Sequence, residues 1–206
     1  MLYTVLLAFM VVGVWEEFNK ALAGAEEEPA CILAVVRLTD AFPEACPGTR
    51  ELRTSLGAYC RSVVDGEFPA MNRMKRDPAT DEAMARAWKA ACRLEPRTPQ
   101  ESSAHQTILG LMGEVQKDRL SRLLIANRGL PEVLWWVIVG FTGLTVLYSA
   151  FLSSAGRSYR WISVGAFALS VGLVLFAIVE LSYPFMGDVT IRADGFEEVL
   201  RVLPPS

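Results

Sequence analysis

Residues 131–154 read PEVLWWVIVGFTGLTVLYSAFLSS, residues 155–160 read AGRSYR, and residues 161–185 read WISVGAFALSVGLVLFAIVELSYPF. No charged residue occurs from Val133 to Ser154 or from Trp161 to Val179. Each run therefore approaches the roughly 20 apolar residues that a helix needs to cross a bilayer. The alternative is a pair of helices buried in a soluble core, which rarely has so short a link between two such runs. The stretch predicts a transmembrane helical hairpin.

A third apolar run, Leu2–Trp15, opens the sequence and is followed at once by Glu16 and Glu17. At about 1.5 Å per residue it reaches roughly 21 Å, which is shorter than a hydrocarbon core about 30 Å thick. A signal peptide is the rival interpretation, but no basic residue precedes the run and no small-residue cleavage site follows directly. We interpret residues 1–15 as an uncleaved first membrane helix, which either lacks a segment at its N-terminus or is tucked in without spanning the whole hydrocarbon core.

Residues 16–130 form a polar segment that mixes acidic and basic residues, as the surface of a soluble helical domain does. No alternating pattern of strand length is present in it. Proline positions and apolar spacing predict four helices. They are 26–42, a second from Thr49 with a break or kink at Pro69, a third over 81–92 capped by Thr80, and a fourth from Pro99 to about residue 128.

The fourth helix has the clearest start, because Thr98-Pro99-Gln100-Glu101 combines an N-cap, a proline at the first position and a capping-box glutamate. One apolar stripe runs along it and predicts an antiparallel bundle. The stripe packs either within the same subunit or, in part, against a neighbouring copy. It comprises Ile108, Leu111, Met112, Val115, Leu120, Leu123 and Leu124, whereas Lys117, Asp118, Arg119 and Arg122 largely avoid it.

The sequence offers no recognisable catalytic or metal-binding motif. The single histidine, His105, has no adjacent base or nucleophile, so we expect a surface or capping role. The cysteines have no C-x-x-C spacing, and we expect no metal, no cofactor and no enzymatic activity. They are either free thiols or disulfides formed in an oxidising compartment. The four cysteines are Cys31, Cys46, Cys60 and Cys92.

The charge pattern bears on partners and orientation. A net charge of −3 without a basic stripe disfavours nucleic-acid binding. The link between the two clear spans carries Arg157 and Arg160, so the positive-inside rule predicts a cytoplasmic link and an extracytoplasmic polar domain. The predicted location is the cell membrane, with several spans and the lipid bilayer as the first partner.

Acidic residues at the ends of the apolar runs are the candidate functional residues. Glu180 follows the uncharged run of the last helix, Glu16 and Glu17 end the first, and Asp188 follows shortly after Pro184. An acid at such a depth is costly unless it faces water, a cation or a partner. Repeated around an oligomer axis, these acids would line a cation pathway. The alternative is solvation in the interface or pairing with basic residues such as Lys20 or Arg128.

Small residues in both predicted spans permit close helix packing. Gly140 and Gly143 lie in one, Gly165 precedes a small-xxx-small pair in the next, and that pair is Ala168 and Gly172. The pattern predicts tight helix association and carries no information about transport.

Four segments together resemble the bestrophin-like family of bacterial membrane proteins called DUF4239, over essentially the whole chain. Its most specific part is the tail, in which Glu180 is followed by Pro184-Phe185, by Gly187-Asp188, and then by Phe196 and Leu200. The segments are LYTVLLAFMVVGVWEEF (2–18), YCRSVVDGEFPAM (59–71), GLPEVLWWV (129–137) and VELSYPFMGDVTI (179–191).

The resemblance implies distant similarity to bestrophin channels, an additional hydrophobic helix ahead of residue 1, and a cytosolic helical portion, which conflicts with the orientation from charge. We expect an all-α integral membrane protein with three hydrophobic helices and an inserted soluble helical bundle. We expect a homo-oligomer that passes ions; the alternative is a non-conducting, membrane-anchored binding or sensory module. The expected division is 1–15, 16–130, the hairpin 131–185 and a tail 186–206.

Overall fold

The computed structural model describes residues 2–43, 46–126, 132–152, 157–186 and 190–203. Within these ranges every regular element is helical and no strand occurs, which confirms the all-α prediction. A 3₁₀ turn at Thr39–Ala41 and a π-helical turn at Val63–Glu67 accompany the α-helices. The α-helices are α1 (Leu2–Leu38), α2 (Pro47–Ser62), α3 (Phe68–Met71), α4 (Pro78–Cys92), α5 (Pro99–Ala126), α6 (Glu132–Leu152), α7 (Arg157–Ser182) and α8 (Asp194–Val202).

The chain divides into two compact units. The hairpin unit comprises Met1–Asn19 and Arg128–Val189, and the bundle unit comprises Lys20–Asn127 and Thr190–Ser206. The last residues of the chain therefore belong with the polar middle segment.

In the hairpin unit α6 packs against α7, and α1 shares an apolar cluster with α7. Within the described residues one segment is long and apolar enough to cross a membrane: Val164–Ser182, 19 residues with a mean hydropathy of 2.4. Only 11% of it is buried. The segment Val133–Tyr148 is apolar but shorter. The apolar cluster comprises Leu7, Val14, Val171 and Ile178.

The predicted separation of the first apolar run from a helix at 26–42 is wrong, because α1 continues from Leu2 to Leu38. Residues 16–25, between the two predicted helices, contain no proline that would end a helix. Pro29 lies inside α1. A proline in a helix interior removes one backbone donor and crowds the carbonyl four residues earlier, yet α1 continues through Pro29.

The predicted break at Pro69 begins earlier, at the π-helical turn Val63–Glu67. The amide of Phe68 donates to the carbonyl of Val63, five residues back, and α3 then carries Pro69 in its first turn. A proline has no amide to donate and its ring crowds the carbonyl four residues earlier. A widened turn at this point accommodates both effects.

The caps of α4 and α5 are local features, and they differ in how well the sequence predicted them. The N-cap of α4 is Asp77, whose side chain accepts a hydrogen bond from the Ala79 amide, so the assignment of Thr80 was wrong. At α5, Thr98 accepts from the Glu101 amide at 3.1 Å, as predicted. The Glu101 carboxylate accepts from the Arg97 amide at 2.6 Å.

The core of the bundle unit lies between α1, α2, α4, α5 and α8. The predicted stripe on α5 is correct only in part. Leu120 and Leu124 are about half exposed, whereas Arg119 and Arg122, which were expected to avoid the stripe, are buried. The arginines occupy the inward face because carboxylates of other helices meet them there. The confirmed members of the buried face are Ile108, Met112, Val115 and Leu123.

All four cysteines are free thiols in the structure, as in the first of the two alternatives, and none of them forms a disulfide there. Cys60 is buried and Cys92 is exposed. The His105 ring nitrogen Nε2 lies 3.0 Å from the carbonyl oxygen of Ala91, in the last turn of α4. That contact is the capping role expected for this histidine.

Candidate functional site

Glu180 lies near the end of α7, inside the segment Val164–Ser182. Its carboxylate oxygen Oε2 is buried and is the single such side-chain oxygen within the described residues that has no hydrogen-bond partner. Buried carboxylate oxygens in proteins are normally hydrogen-bonded, because an unsatisfied one costs free energy. Among the predicted acids that the structure describes, Glu180 is therefore the one with a buried oxygen that has no hydrogen-bond donor within the chain.

The other predicted pathway acids have different settings. Glu16 and Glu17 are exposed on α1, and their approach to Glu180 stays a prediction. Asp188 lies outside the described residues. Within those residues, no group of acidic, histidine or cysteine side chains has the arrangement of a metal site.

The small residues predicted to pack helices together face open space. A Cβ added at Gly140, Gly143, Gly165 or Gly172 would meet nothing within 4 Å, and Ala168 is exposed. Their role in helix association stays a prediction, and the open space is on the surface of the hairpin unit.

A second concentration of polar groups lies inside the bundle unit and was not predicted. We call Glu28, Tyr59, Glu67, Arg119 and Arg122 the buried charge cluster. Glu28, Tyr59, Glu67 and Arg122 are completely buried, and Arg119 is 7% exposed. The cluster joins α1, α2, the π-helical turn and α5.

Arg122 binds both carboxylates of the cluster. Its Nε donates to Glu28 Oε2 at 3.0 Å and its Nη2 to Glu28 Oε1 at 3.3 Å, while Nη2 also donates to Glu67 Oε1 at 2.6 Å. The remaining nitrogen, Nη1, lies 3.1 Å from the sulfur of Met71. The planar guanidinium thus serves two acids at once, which a lysine could not do with the same geometry.

Arg119 holds Glu67 from the other side and reaches toward the surface. Its Nε donates to Glu67 Oε2 at 2.9 Å, and its Nη2 binds the same oxygen. Nη2 also lies 2.8 Å from Asp81, whose side chain is 47% exposed. The Tyr59 hydroxyl donates to Glu28 Oε1 at 2.5 Å.

The π-helical turn places Glu67 in this cluster. Gly66 beside it leaves room for Asp77, because a Cβ at that position would lie 2.5 Å from the Asp77 carboxylate, which would then have to shift. Asp77 in turn caps α4 and accepts a hydrogen bond from Thr80 at 2.7 Å. The start of α4 therefore docks on the turn that carries Glu67.

Aromatic rings cover Arg122 where carboxylates do not. The Phe68 ring lies 5.1 Å and the Phe196 ring 5.6 Å from its guanidinium carbon, within the range of cation–π attraction. Phe196 comes from α8, whose Gly195 leaves room for the Pro29 ring of α1. The C-terminal helix thus completes the enclosure of the arginine.

Burial and pairing act in opposite directions on the pKa values of the cluster. Burial raises the pKa of Glu28, and Arg122 and the Tyr59 hydroxyl offset that increase in part. Burial, followed by the charge of Glu28, raises the pKa of Tyr59. For Arg122, burial lowers the pKa, but the attraction of Glu28 and Glu67 exceeds that effect and leaves it raised. Both arginines stay charged.

The sequence contained one weak signal for this cluster. Arg119 and Arg122 recur at helical spacing with the buried Val115 and Ala126, which places them on the inward face of α5. The partner of Arg122, Glu28, is 94 positions away in sequence, and the partner of Arg119, Glu67, is 52 positions away. No local sequence pattern predicts a pairing between residues that far apart in the chain.

The Bestrophin-like domain family matches residues 1–196 of this chain. No curated protein and no solved structure matches it. Because the family match covers nearly the whole chain, the chain belongs to the bestrophin-like family.

Proposed function

We propose that this member of the bestrophin-like family is a multi-pass membrane protein that assembles as a homo-oligomer and conducts ions. Glu180 lies on the pathway in this proposal, with Glu16 and Glu17 near it and Asp188 at its mouth. The observation that carries the proposal is the buried, unpartnered oxygen of Glu180 near the end of an apolar helix of membrane-crossing length. A carboxylate in such a place favours a cation or water as its missing partner.

The three hydrophobic helices predicted from sequence correspond in the proposal to the start of α1, to α6 and to α7. The mostly exposed surface of Val164–Ser182 supports contact with lipid or with other subunits. Trp136 is 78% exposed near the start of α6, where an amphipathic ring suits the headgroup layer. The cationic link Arg157 and Arg160 favours an extracytoplasmic bundle unit.

Assembly is needed because one copy of a single acid does not line a pore. The open glycine positions of α6 and α7 support close approach of a neighbouring copy in the membrane. A ring of Glu180 carboxylates would then surround the axis and select for cations.

Ion flux into sealed proteoliposomes tests the proposal. We expect purified protein to pass monovalent cations down a gradient, and Glu180→Gln to reduce the flux by at least tenfold. The matched control is Glu82→Gln, because Glu82 is an exposed acid of the bundle unit, with a side chain 77% accessible. A preparation that carries no ion under any gradient contradicts conduction, and equal flux in both variants removes Glu180 from the pathway.

A membrane-anchored binding or sensory module is the second candidate. The observation favouring it is that the bundle unit has its own core and its own satisfied charge cluster, independent of Glu180. This candidate predicts a monomer or dimer in detergent, whereas conduction around an axis predicts four or more copies. Oligomer mass therefore separates the two.

A further inference from the structure

The link between α3 and α4 concentrates positive charge on the surface of the bundle unit. Residues 72–76 read NRMKR and are all exposed, and we call them the basic loop. Among the described residues, no ion pair involves Arg73, Lys75 or Arg76. The acid that follows the loop, Asp77, is engaged as the cap of α4. The loop therefore presents its cations to solvent without an ion-pair partner in the described part of the chain.

Met74, in the middle of the basic loop, has an unusual backbone conformation. Its φ is 52°, and it is the one non-glycine residue with a positive φ in the described ranges. Its amide donates to the Met71 carbonyl at 3.0 Å, and the next amide donates to the Ala70 carbonyl at 2.9 Å, which is the Schellman pattern of a helix end. Glycine is the usual residue at this position, because it has no Cβ to clash with the backbone.

The Met74 side chain gains little from the bundle core in return for this conformation. The residue is 47% exposed, although a methionine at a positive φ carries a conformational cost. Backbone strain of this kind is concentrated at ligand-binding segments. An exposed apolar side chain thus lies between unpaired cations, and this combination suits a partner that is both anionic and apolar.

The basic loop lies at the end of the bundle unit where the chain enters and leaves that unit. Met71, directly before the loop, has its sulfur 3.1 Å from Nη1 of Arg122, which lies one turn before the end of α5. Glu28 of α1 binds the same arginine. The segment Lys20–Asn127 of the bundle unit begins upstream of Glu28 and ends directly after α5. Both covalent connections of this segment to the hydrophobic helices therefore start at the end that carries the loop.

We propose that the basic loop binds the phosphate groups of anionic lipids, with the Met74 side chain inserted among the headgroups. The proposal rests on the membrane location in the proposed function and does not require conduction. A lysine or arginine near an anionic bilayer surface increases affinity roughly fivefold. Guanidinium groups suit phosphate oxygens, which they bind in pairs of hydrogen bonds. The apolar layer under the headgroups accepts Met74, which free phosphate or a soluble polyanion does not offer.

The acetylation rate of Lys75 in nanodiscs tests the site with the full chain. A neutral acetylating reagent is applied to protein in nanodiscs of phosphatidylcholine alone or of phosphatidylcholine mixed with phosphatidylglycerol, and mass spectrometry records the rates. We expect phosphatidylglycerol to slow the reaction of Lys75 about fivefold, and high salt to reduce the difference. Lys89 is the internal control, because it is exposed in the last turn of α4, at the other end of the bundle unit. Its rate should be the same in both nanodiscs.

Variants that keep Lys75 as the reporter separate the contributions. Arg73→Gln with Arg76→Gln should remove most of the slowing by phosphatidylglycerol. The matched control, Arg50→Gln with Arg97→Gln, removes the same charge from exposed positions at the other end of the bundle unit and should keep the slowing.

Met74→Gly tests the inserted side chain. Glycine relaxes the backbone of the loop, so a structural role alone predicts an unchanged or stronger lipid effect. We expect a weaker effect, because the apolar side chain is gone. An unchanged effect overturns the insertion of Met74.

Equal Lys75 rates in the two nanodiscs would overturn the proposal. Equal slowing of Lys75 and Lys89 would do so as well, because it would be a general effect of the anionic surface. Inorganic phosphate or polyglutamate, added to nanodiscs of phosphatidylcholine, should leave the Lys75 rate unchanged. The same slowing by either one would identify a soluble anion or an acidic polypeptide as the partner and would contradict lipid binding. None of these outcomes depends on ion flux, so a failure of conduction leaves them intact.

Discussion

Two acids of this chain, the buried Glu28 and the half-buried Glu180, have opposite surroundings. Glu28 in the bundle unit has hydrogen bonds to both of its oxygens, whereas Glu180 in the hairpin unit has a buried oxygen with no partner among the described residues. The first arrangement stabilises a fold because every buried charge is met. The second is tolerated when something outside the single chain supplies the partner. The contrast separates an acid that joins helices from an acid with a buried oxygen that has no partner among the described residues.

The largest expected effect is from Arg122→Met, which leaves Glu28 and Glu67 without their shared cation. Removing one partner of a buried ion pair costs roughly 3–5 kcal/mol, so we expect the bundle unit to lose about that much stability. Denaturant unfolding, monitored through hydrogen exchange of the amides in α5, measures this loss of stability. Arg86→Met, at an exposed arginine of α4, should change stability by less than about 1 kcal/mol. Equal stability of the two variants would contradict the importance of the cluster.

Removing both members of the Glu28–Arg122 pair sharpens the comparison. In Glu28→Met with Arg122→Met, Glu67 still has Arg119, and the interior becomes more apolar. Replacing a buried pair by apolar residues is often close to neutral, so the double variant should recover most of the stability that Arg122→Met loses. Additive losses in a double-mutant cycle would show that the two residues do not act as a pair.

Gly195→Ala tests how α8 closes over the cluster. The new Cβ would lie 2.7 Å from the Pro29 ring, which has little freedom to move. Overpacking of this kind costs about 1–3 kcal/mol, and we expect faster hydrogen exchange in α8. The matched control is Gly110→Ala on α5, where nothing lies within 4 Å. Unchanged exchange in α8 would mean that this close approach is not required.

The pH dependence of stability follows from the raised pKa of Glu28. A folded-state pKa above 4.5 means that the folded protein binds this proton more tightly than the unfolded chain. The Glu28 contribution to stability is therefore complete below pH 4.5 and is lost as the pH rises through the folded-state pKa. Comparing the pH dependence of unfolding in wild-type protein and Glu28→Gln isolates it. A contribution that grows with pH would contradict the sign.

The smallest predicted effect concerns thiol reactivity. Burial raises the pKa of Cys60 to about 12, so very little reactive thiolate forms there near neutral pH. Cys92 is exposed. We expect a maleimide reagent to modify Cys92 in the folded protein within minutes and to spare Cys60 until the bundle unit unfolds. Mass spectrometry of labelled peptides records both rates, and rapid labelling of Cys60 would contradict its burial.

Local features of the fold could be predicted from sequence. Thr98 and Glu101 form the start of α5 because their partners lie within four residues. The apolar run that contains Val164–Ser182 identified a helix of membrane-crossing length by composition alone. The joining of residues 2–38 into one helix was missed, because Glu16 and Glu17 were interpreted as the end of the first helix, whereas α1 continues through them.

The buried charge cluster could not be predicted, because its charged side chains look like solvated surface residues in the sequence. Arg119 and Arg122 become interior residues only when Glu28 and Glu67 arrive from distant segments. Glu180 was singled out, with Glu16, Glu17 and Asp188, because these acids lie at the ends of apolar runs in the sequence. Their role in a pathway stays a prediction, and the buried acids Glu28 and Glu67 were missed.

The most direct test of the central claim is a structure of the assembled protein in lipid that locates Glu180. The account predicts four or more copies around an axis, with the Glu180 carboxylates lining a water-filled path along it. A single copy in the membrane, or an assembly in which Glu180 faces lipid or forms a salt bridge away from any path, would contradict it.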